Sequence, residues 1–304
     1  MKRNVLDTRK QCGIKIPQFP ESRTNAKVLH VILWAFLLVS CTEKQKANVP
    51  RKEAAPPQEI ITPAFQNIID SAKVTGAILI YDPQEDKYYS NDFKWAKKGY
   101  LPASTFKITN SIIALETGIV KNDSTIFTWD GEKRAMDIWE QDLTLTKAFH
   151  FSCVPCYQEI ARKIGPERMR LYLDTLDYGK MTVDASNIDV FWLEGNSRID
   201  QYGQIAFLRR FHESQLPITD RTRNIMKRVM VLEEDGQYRL SGKTGWSIRN
   251  GNNNGWFVGY VEAKGNVYFF ATNIEPKEQF NMDLFPVIRK DITHKALSHL
   301  GIVK

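Results

Sequence analysis

The chain has 304 residues, 42% of them hydrophobic and 25% charged, the profile of a globular protein with a full core rather than of a disordered or fibrous chain. Its formal charge of +7 is concentrated at the N-terminus, where seven basic residues against Asp7 and Glu21 put +5 in the first 40 positions. The body is left near neutral, which gives no reason to expect a nucleic-acid partner.

In chain order, the first feature is the apolar run Val28 to Val39, interrupted only by His30. It is too short for a comfortable membrane span and follows a basic stretch, as the core of an export signal does. It ends in Leu38-Val39-Ser40-Cys41, which resembles a bacterial lipoprotein cleavage box. The expectation is a lipoprotein-type signal peptide over 1–40, lipidation of Cys41, and export to the periplasm with a membrane anchor. From Thr42 to about Gln58 the chain is rich in Lys, Pro, Ala, Gln and Glu and reads as a flexible tether over 41–58. Residues 59–304 are then one folded domain.

A helix with Ala64, Ile68, Ile69 and Ala72 on one face opens that domain. Gly76 to Tyr81 reads as a buried strand, Asp82-Pro83 as a turn, and Lys87-Tyr88-Tyr89 as the second arm of a hairpin. Asn91 to Leu101 reads as a polar loop. Pro102 precedes a helix that starts around Ser104 and stops near Gly118. The middle predicts helices over 135–140, 146–151, 154–164, 166–176, 204–212 and 219–232. Three strands rich in aromatic and β-branched residues follow, at 238–244, 255–261 and 266–273, with Lys264-Gly265 turning between the last two. A helix from about Asp283 to Leu300 closes the chain. Strands at both ends and helices between predict an α+β fold. One antiparallel sheet flanked by helices joins the two ends, a mostly helical lobe stands beside it, and a site lies in the cleft between.

Three polar clusters carry chemistry. Ser104 and Lys107 are three apart at a helix start, so a hydroxyl stands beside an amine on one face, near free backbone N–H groups. Alone, this is equally an N-cap serine and a surface lysine. Ser152 precedes a second helix in Ser152-Cys-Val154, and Lys243-Thr244-Gly245 ends a strand. Of the four cysteines, Cys12 and Cys41 lie in the leader and its cleavage box. Cys153 and Cys156 have the spacing of a redox or zinc pair. No second ligand pair accompanies them, so no metal is expected. A bridge formed in an oxidising compartment is the alternative.

The order S-x-x-K, a serine-centred middle motif and K-T-G resembles the penicillin-recognising serine enzymes. The middle motif here is S-x-V. With Trp129-Asp-Gly131, Arg134-Ala-Met136, Tyr178-Gly179 and Phe191-Trp192-Leu193-Glu194-Gly195, the chain from about residue 60 onward closely resembles the class D, oxacillinase-type β-lactamases. Lys180 departs from the asparagine usual after the tyrosine-glycine pair. The resemblance implies a β-lactamase/transpeptidase-like fold and a hydrolase acting on penicillins, with antibiotic resistance as its role. It implies Ser104 as nucleophile and Lys107 as general base after carbamylation by carbon dioxide or bicarbonate (N6-carboxylysine), with no other cofactor. Trp192 would support the carbamate and Val154 would pack against it. Ser152 and Lys243 would relay the proton to the leaving nitrogen. The backbone N–H groups of Ser104 and Trp246 would form the oxyanion hole, and Thr244, Gly245, Trp246 and Arg289 would bind substrate. The resemblance also admits a homodimer. A β-lactam sensor domain, acylated but barely deacylated, is the alternative. A penicillin-binding peptidase would more often carry S-x-N.

Overall fold

A computed structural model describes residues 56–304. The expected signal peptide, Cys12, Cys41 and most of the expected tether lie outside the described residues. The first strand, β1 (Gln58–Ile61), is followed by α1 (Pro63–Ser71), β2 (Val74–Asp82) and β3 (Lys87–Ser90). Pro63 opens α1, where its missing N–H costs nothing, and Phe65 and Ile69, one turn apart, turn inward. The stretch expected as a polar loop contains one helical turn, α2 (Phe93–Ala96), because the Asp92 side chain caps Trp95 N at 2.9 Å.

A 3-10 turn, Ala103–Phe106, leads directly into α3 (Lys107–Glu116). The middle then runs through the short strands β4 (Ile126–Phe127) and β5 (Leu143–Thr144), followed by α4 (Leu145–His150), α5 (Val154–Ile164) and α6 (Pro166–Leu176). In α5 the buried set Tyr157, Ile160, Ala161 and Ile164 has the helical repeat of one apolar face. The helix expected over 135–140 is only a 3-10 turn, Asp137–Trp139. None of its residues is buried, so nothing rewards a full helix there.

Next come α7 (Gln201–His212) and α8 (Asp220–Val229), capped by the Asp200 and Thr219 side chains. The helix expected over 219–232 overran. Val231–Glu234 is a strand, β6, paired antiparallel to the next strand, β7 (Tyr238–Arg249). β8 (Asn252–Ala263), β9 (Asn266–Pro276) and α9 (Phe285–His299) complete the chain.

The strands form a seven-stranded sheet in the order β1-β3-β2-β9-β8-β7-β6. It is antiparallel except at one edge, where β1 runs parallel to β3, so the sheet is mixed rather than uniformly antiparallel as expected. Alternation along β2 separates two cores. Ile78 and Ile80 join α1 and α9 on one face, while Leu79 and Tyr81 join the helical lobe on the other. Gln201 ties α7 to the sheet, its Nε2 donating hydrogen bonds to the carbonyls of Ala77 and Ala271. At Gly242 and Gly259, paired across β7 and β8, an added Cβ would lie 2.5 Å from Val258 O and 2.1 Å from Ser241 O respectively. This close backbone approach directly precedes Lys243. No helix among the described residues is long and apolar enough to cross a membrane.

Candidate active site

Ser104 sits in the 3-10 turn between the sheet and the helical lobe, 8% exposed. The turn is over-determined. Ala103, at φ 49°, has a left-handed backbone that non-glycine residues seldom adopt, and its N–H donates to Trp192 O at 2.8 Å. Trp256 Nε1 donates to Leu101 O at 2.9 Å. Thr105 Oγ1 donates to Pro102 O at 2.6 Å and accepts from Gln204 Nε2 at 2.9 Å.

Lys107 begins α3 one turn later, and its Nζ donates to Ser104 Oγ at 3.0 Å. The lysine is fully buried, and burial pulls its ammonium down to about 7 from the ordinary 10.5. Its Nζ lies over the Tyr157 ring, 4.9 Å from the centroid. The Tyr157 hydroxyl is in turn fixed by Ser111 Oγ at 2.7 Å. Tyr157 went unremarked in the sequence. The signal was present, since it stands three residues after Val154 on the inward face of α5.

Trp192 is fully buried and stacked on Phe106, with ring centroids 5.5 Å apart. Its Nε1 is buried without an acceptor among the described residues. A buried indole N–H normally finds a partner, so this donor calls for one. Val154, half-buried, opens α5. Ser152 precedes it at φ 56°, with its N–H donating to Phe149 O at 3.1 Å. The ring of the same Phe149 lies 5.7 Å from Lys243 Nζ. Phe149 therefore bridges the middle serine to the lysine of the distant strand, a role its sequence position did not advertise.

On β7, Lys243 is 3% exposed, and its Nζ donates to Thr244 O at 3.1 Å. Burial, with the charges of Lys107, Arg289 and Lys290, holds its ammonium well below the usual lysine value. Gly245 is required by a close approach. A Cβ there would meet Pro102 O and Thr105 Cγ2 at 3.1 Å, so only glycine lets β7 lie flush against the serine turn. Arg289 reaches back from α9, donating from Nε to Phe285 O at 3.0 Å and from NH1 to Gly245 O. It is 5% exposed, and burial draws its pKa down to about 10. Its guanidinium lies 6.0 Å from the Trp246 ring centroid. A cavity of about 360 Å³ opens here, lined by Lys243, Thr244, Arg289, Met136 and Ile138 among others.

Lys107, Lys243 and Arg289 thus converge as buried basic groups with no carboxylate paired to them among the described residues. Such a site suits an anion. Lys180, the departure from the expected pattern, is exposed and acts through its backbone. Its N–H donates to Arg198 O at 2.8 Å, and its carbonyl accepts from Arg198 N at 2.7 Å. Any residue with a backbone N–H, asparagine or lysine alike, can make that pairing.

Residues 72–292 match the family described as the penicillin binding protein transpeptidase domain. The chain is 40% identical over 220 residues to beta-lactamase OXA-48 of Klebsiella pneumoniae, covering 72% of this chain and 83% of that protein. It is also 40% identical over 233 residues to beta-lactamase OXA-10 of Pseudomonas aeruginosa, covering 76% and 86%. The solved class D beta-lactamase YbXI from Nostoc superposes with a TM-score of 0.75 at 42% identity, covering 79% of this chain and 99% of that one. A class D beta-lactamase from Sebaldella termitidis gives a TM-score of 0.77 at 36% identity, covering 81% and 99%. A fold, a sequence and a serine–lysine pair that agree in this way place the protein in the class D serine β-lactamase family, as a β-lactam-hydrolysing enzyme.

Proposed function

We propose that the protein hydrolyses penicillins through an acyl-enzyme on Ser104, with Lys107 as base, and that this protects its host from these antibiotics. The observation that carries the reading is the 3.0 Å contact between Ser104 Oγ and a fully buried lysine whose pKa lies near 7. An amine with that pKa is about half unprotonated at neutral pH and so can accept a proton.

In this reading the substrate carboxylate is drawn to Thr244 and Arg289. Three Arg289 N–H groups are committed to the carbonyls of Phe285, Gly245 and Pro286, which fixes the plane of the guanidinium that meets the carboxylate. Gly245 admits the substrate edge beside β7. Ser104 Oγ attacks the lactam carbonyl and its proton passes to the Lys107 side. The N–H groups of Ser104 and Trp246 receive the developing oxyanion, each worth about 3 kcal/mol by analogy with other such sites. The C–N bond breaks, and Ser152, with Lys243 across Phe149, delivers a proton to the leaving nitrogen. Water then releases the acyl group, and Val154 restricts which water enters.

The neutral Lys107 amine can take up carbon dioxide as a carbamate, which supplies a carboxylate-type base. The unsatisfied Trp192 Nε1 is the donor that would hold it. The protein works outside the cytoplasm in this reading, with residues 1–40 removed and Cys41 lipidated. That part rests on the sequence alone.

The test is turnover of penicillins, cephalosporins and carbapenems with and without bicarbonate. Many turnovers of a penicillin are expected, faster with bicarbonate. Ser104→Ala should form no adduct detectable by mass spectrometry. Lys107→Ala should acylate slowly and fail to deacylate, with a loss of roughly 10³-fold or more in turnover. A single stoichiometric burst would overturn the reading and identify a sensor. Normal turnover by Lys107→Ala would remove the lysine from the mechanism.

A further inference from the structure

The segment Ser152-Cys153-Val154-Pro155-Cys156-Tyr157 places a cystine inside the turn that carries the middle motif. Cys153 and Cys156 are bonded to each other, 1% and 8% exposed. Residues on either side of the pair belong to the catalytic centre. Ser152 precedes it in a left-handed backbone conformation, which costs a non-glycine residue energy and must be enforced by its surroundings. Tyr157 follows it, with its ring under Lys107 Nζ at 4.9 Å.

Backbone bonds from Ser152 N to Phe149 O at 3.1 Å and from Cys153 N to Ala148 O at 2.9 Å tie this turn back to α4, but side chains do little to hold its far end. The start of α5 has no acidic residue, and its cap is the Cys153 sulfur, accepting from Cys156 N at 3.2 Å. Sulfur is a weak acceptor, so the hydrogen bond alone is a poor substitute for a Ser, Thr or Asp cap. The covalent bridge closes the same turn that the cap would otherwise have to hold. A cavity of about 270 Å³ reaches both cysteines from the side of Trp129 and Arg134, giving a small thiol or disulfide a route to the pair.

We infer that the Cys153–Cys156 cystine is a positioning element of the catalytic centre, fixing the Ser152 turn and the Tyr157 ring that lies against Lys107, so that hydrolysis is fast in the disulfide form and slow in the dithiol form. The inference rests on the roles proposed above for Ser152 and Lys107. The redox step is thiol–disulfide exchange with a disulfide oxidant. The two thiols give up two protons and two electrons, the S–S bond forms, and the oxidant leaves as two thiols. Reducing conditions in a cytosol would hold the chain in its slow form, and an oxidising compartment would release the fast one.

The experiment compares the oxidised full chain with the same chain reduced by dithiothreitol, which leaves as its cyclic disulfide. Alkylation and mass spectrometry of the peptide containing Cys153 and Cys156 confirm each state. The double variant Cys153→Ala/Cys156→Val, which keeps an apolar side chain at the buried positions, supplies a permanently unbridged form. Expected is a fall in kcat of about tenfold with KM changed by less than twofold, in both reduced and variant chains. Reoxidation should restore the wild-type chain only. Acyl-enzyme lifetimes measured by mass spectrometry should lengthen in proportion. An unchanged kcat in a peptide shown to be dithiol overturns the inference. So does a loss of activity that merely tracks a loss of thermal stability and far-UV circular dichroism, since that is a structural role. Turnover by oxidised Lys107→Ala would instead strike the mechanism itself, so the two failures read differently.

Discussion

Lys107 shows what a buried, unpaired amine costs its own fold. Its amine is fully buried without a carboxylate partner, and its pKa falls to about 7 against 10.5 for a free lysine. The unfolded chain therefore binds this proton more tightly than the folded one. The penalty is full below pH 7, shrinks as pH rises from 7 to 10.5, and is absent above. Lys107→Met should accordingly raise stability in bicarbonate-free buffer at pH 6 by about 1–4 kcal/mol, while abolishing turnover. The gain should fade toward pH 10, and denaturant unfolding of both chains across that range checks it. A variant no more stable than the parent at pH 6 would mean the amine has a partner after all. At this scale the serine–lysine pair was legible in the sequence because three motifs in order leave few alternatives. Tyr157, Phe149 and the strained Ala103 were not. Their parts come from where rings and backbone fall in space, which residue type alone does not encode.

Elements bring these residues together, and β7 does most of it. It carries Lys243, Thr244, Gly245 and Trp246 past the serine turn, and Gly245 sets how near it can come. Gly245→Ala should force β7 and the 103–106 turn apart by a few tenths of an ångström. We expect kcat/KM to fall roughly 10–100-fold with a stability loss of only about 1–2 kcal/mol. Steady-state kinetics beside thermal melts separate the two. A loss of activity no larger than the loss of folded protein would show the contact to be packing alone. The sequence displayed α5 and α6 with their bounds, since both open at proline-marked turns and repeat apolar residues at helical spacing. It hid β6. Val231-Leu232 continues the apolar pattern of α8 with no glycine or proline between them, and only pairing with β7 makes it a strand. The region around Asp137–Trp139 failed the other way, because propensity without burial does not hold a helix.

Across the whole molecule, the α+β arrangement was legible from strands at both ends of the sequence, but the parallel edge strand was not. Gln58–Ile61 lies beside a segment with the composition of a tether, and its pairing with β3 depends on α1 crossing between them. Glu59 also accepts hydrogen bonds from Tyr202 and Lys97, which hold its carboxyl below the usual range. A chain shortened to begin at Thr62 should therefore melt several degrees lower than one beginning at Pro56, a difference of about 1–2 kcal/mol. Equal melting temperatures would make β1 a passive edge. At the centre of the sheet, β2 pairs with β9, so that Gly76 stands opposite Ile274. Ser104 and Lys107 are made well before Lys243 and Arg289, which β7 and α9 carry. A growing chain thus holds the serine–lysine pair before it has the rest of the site or a complete sheet. The sheet therefore cannot close until β9 has been made, and hydrolytic activity should appear only after that strand and α9 have joined it.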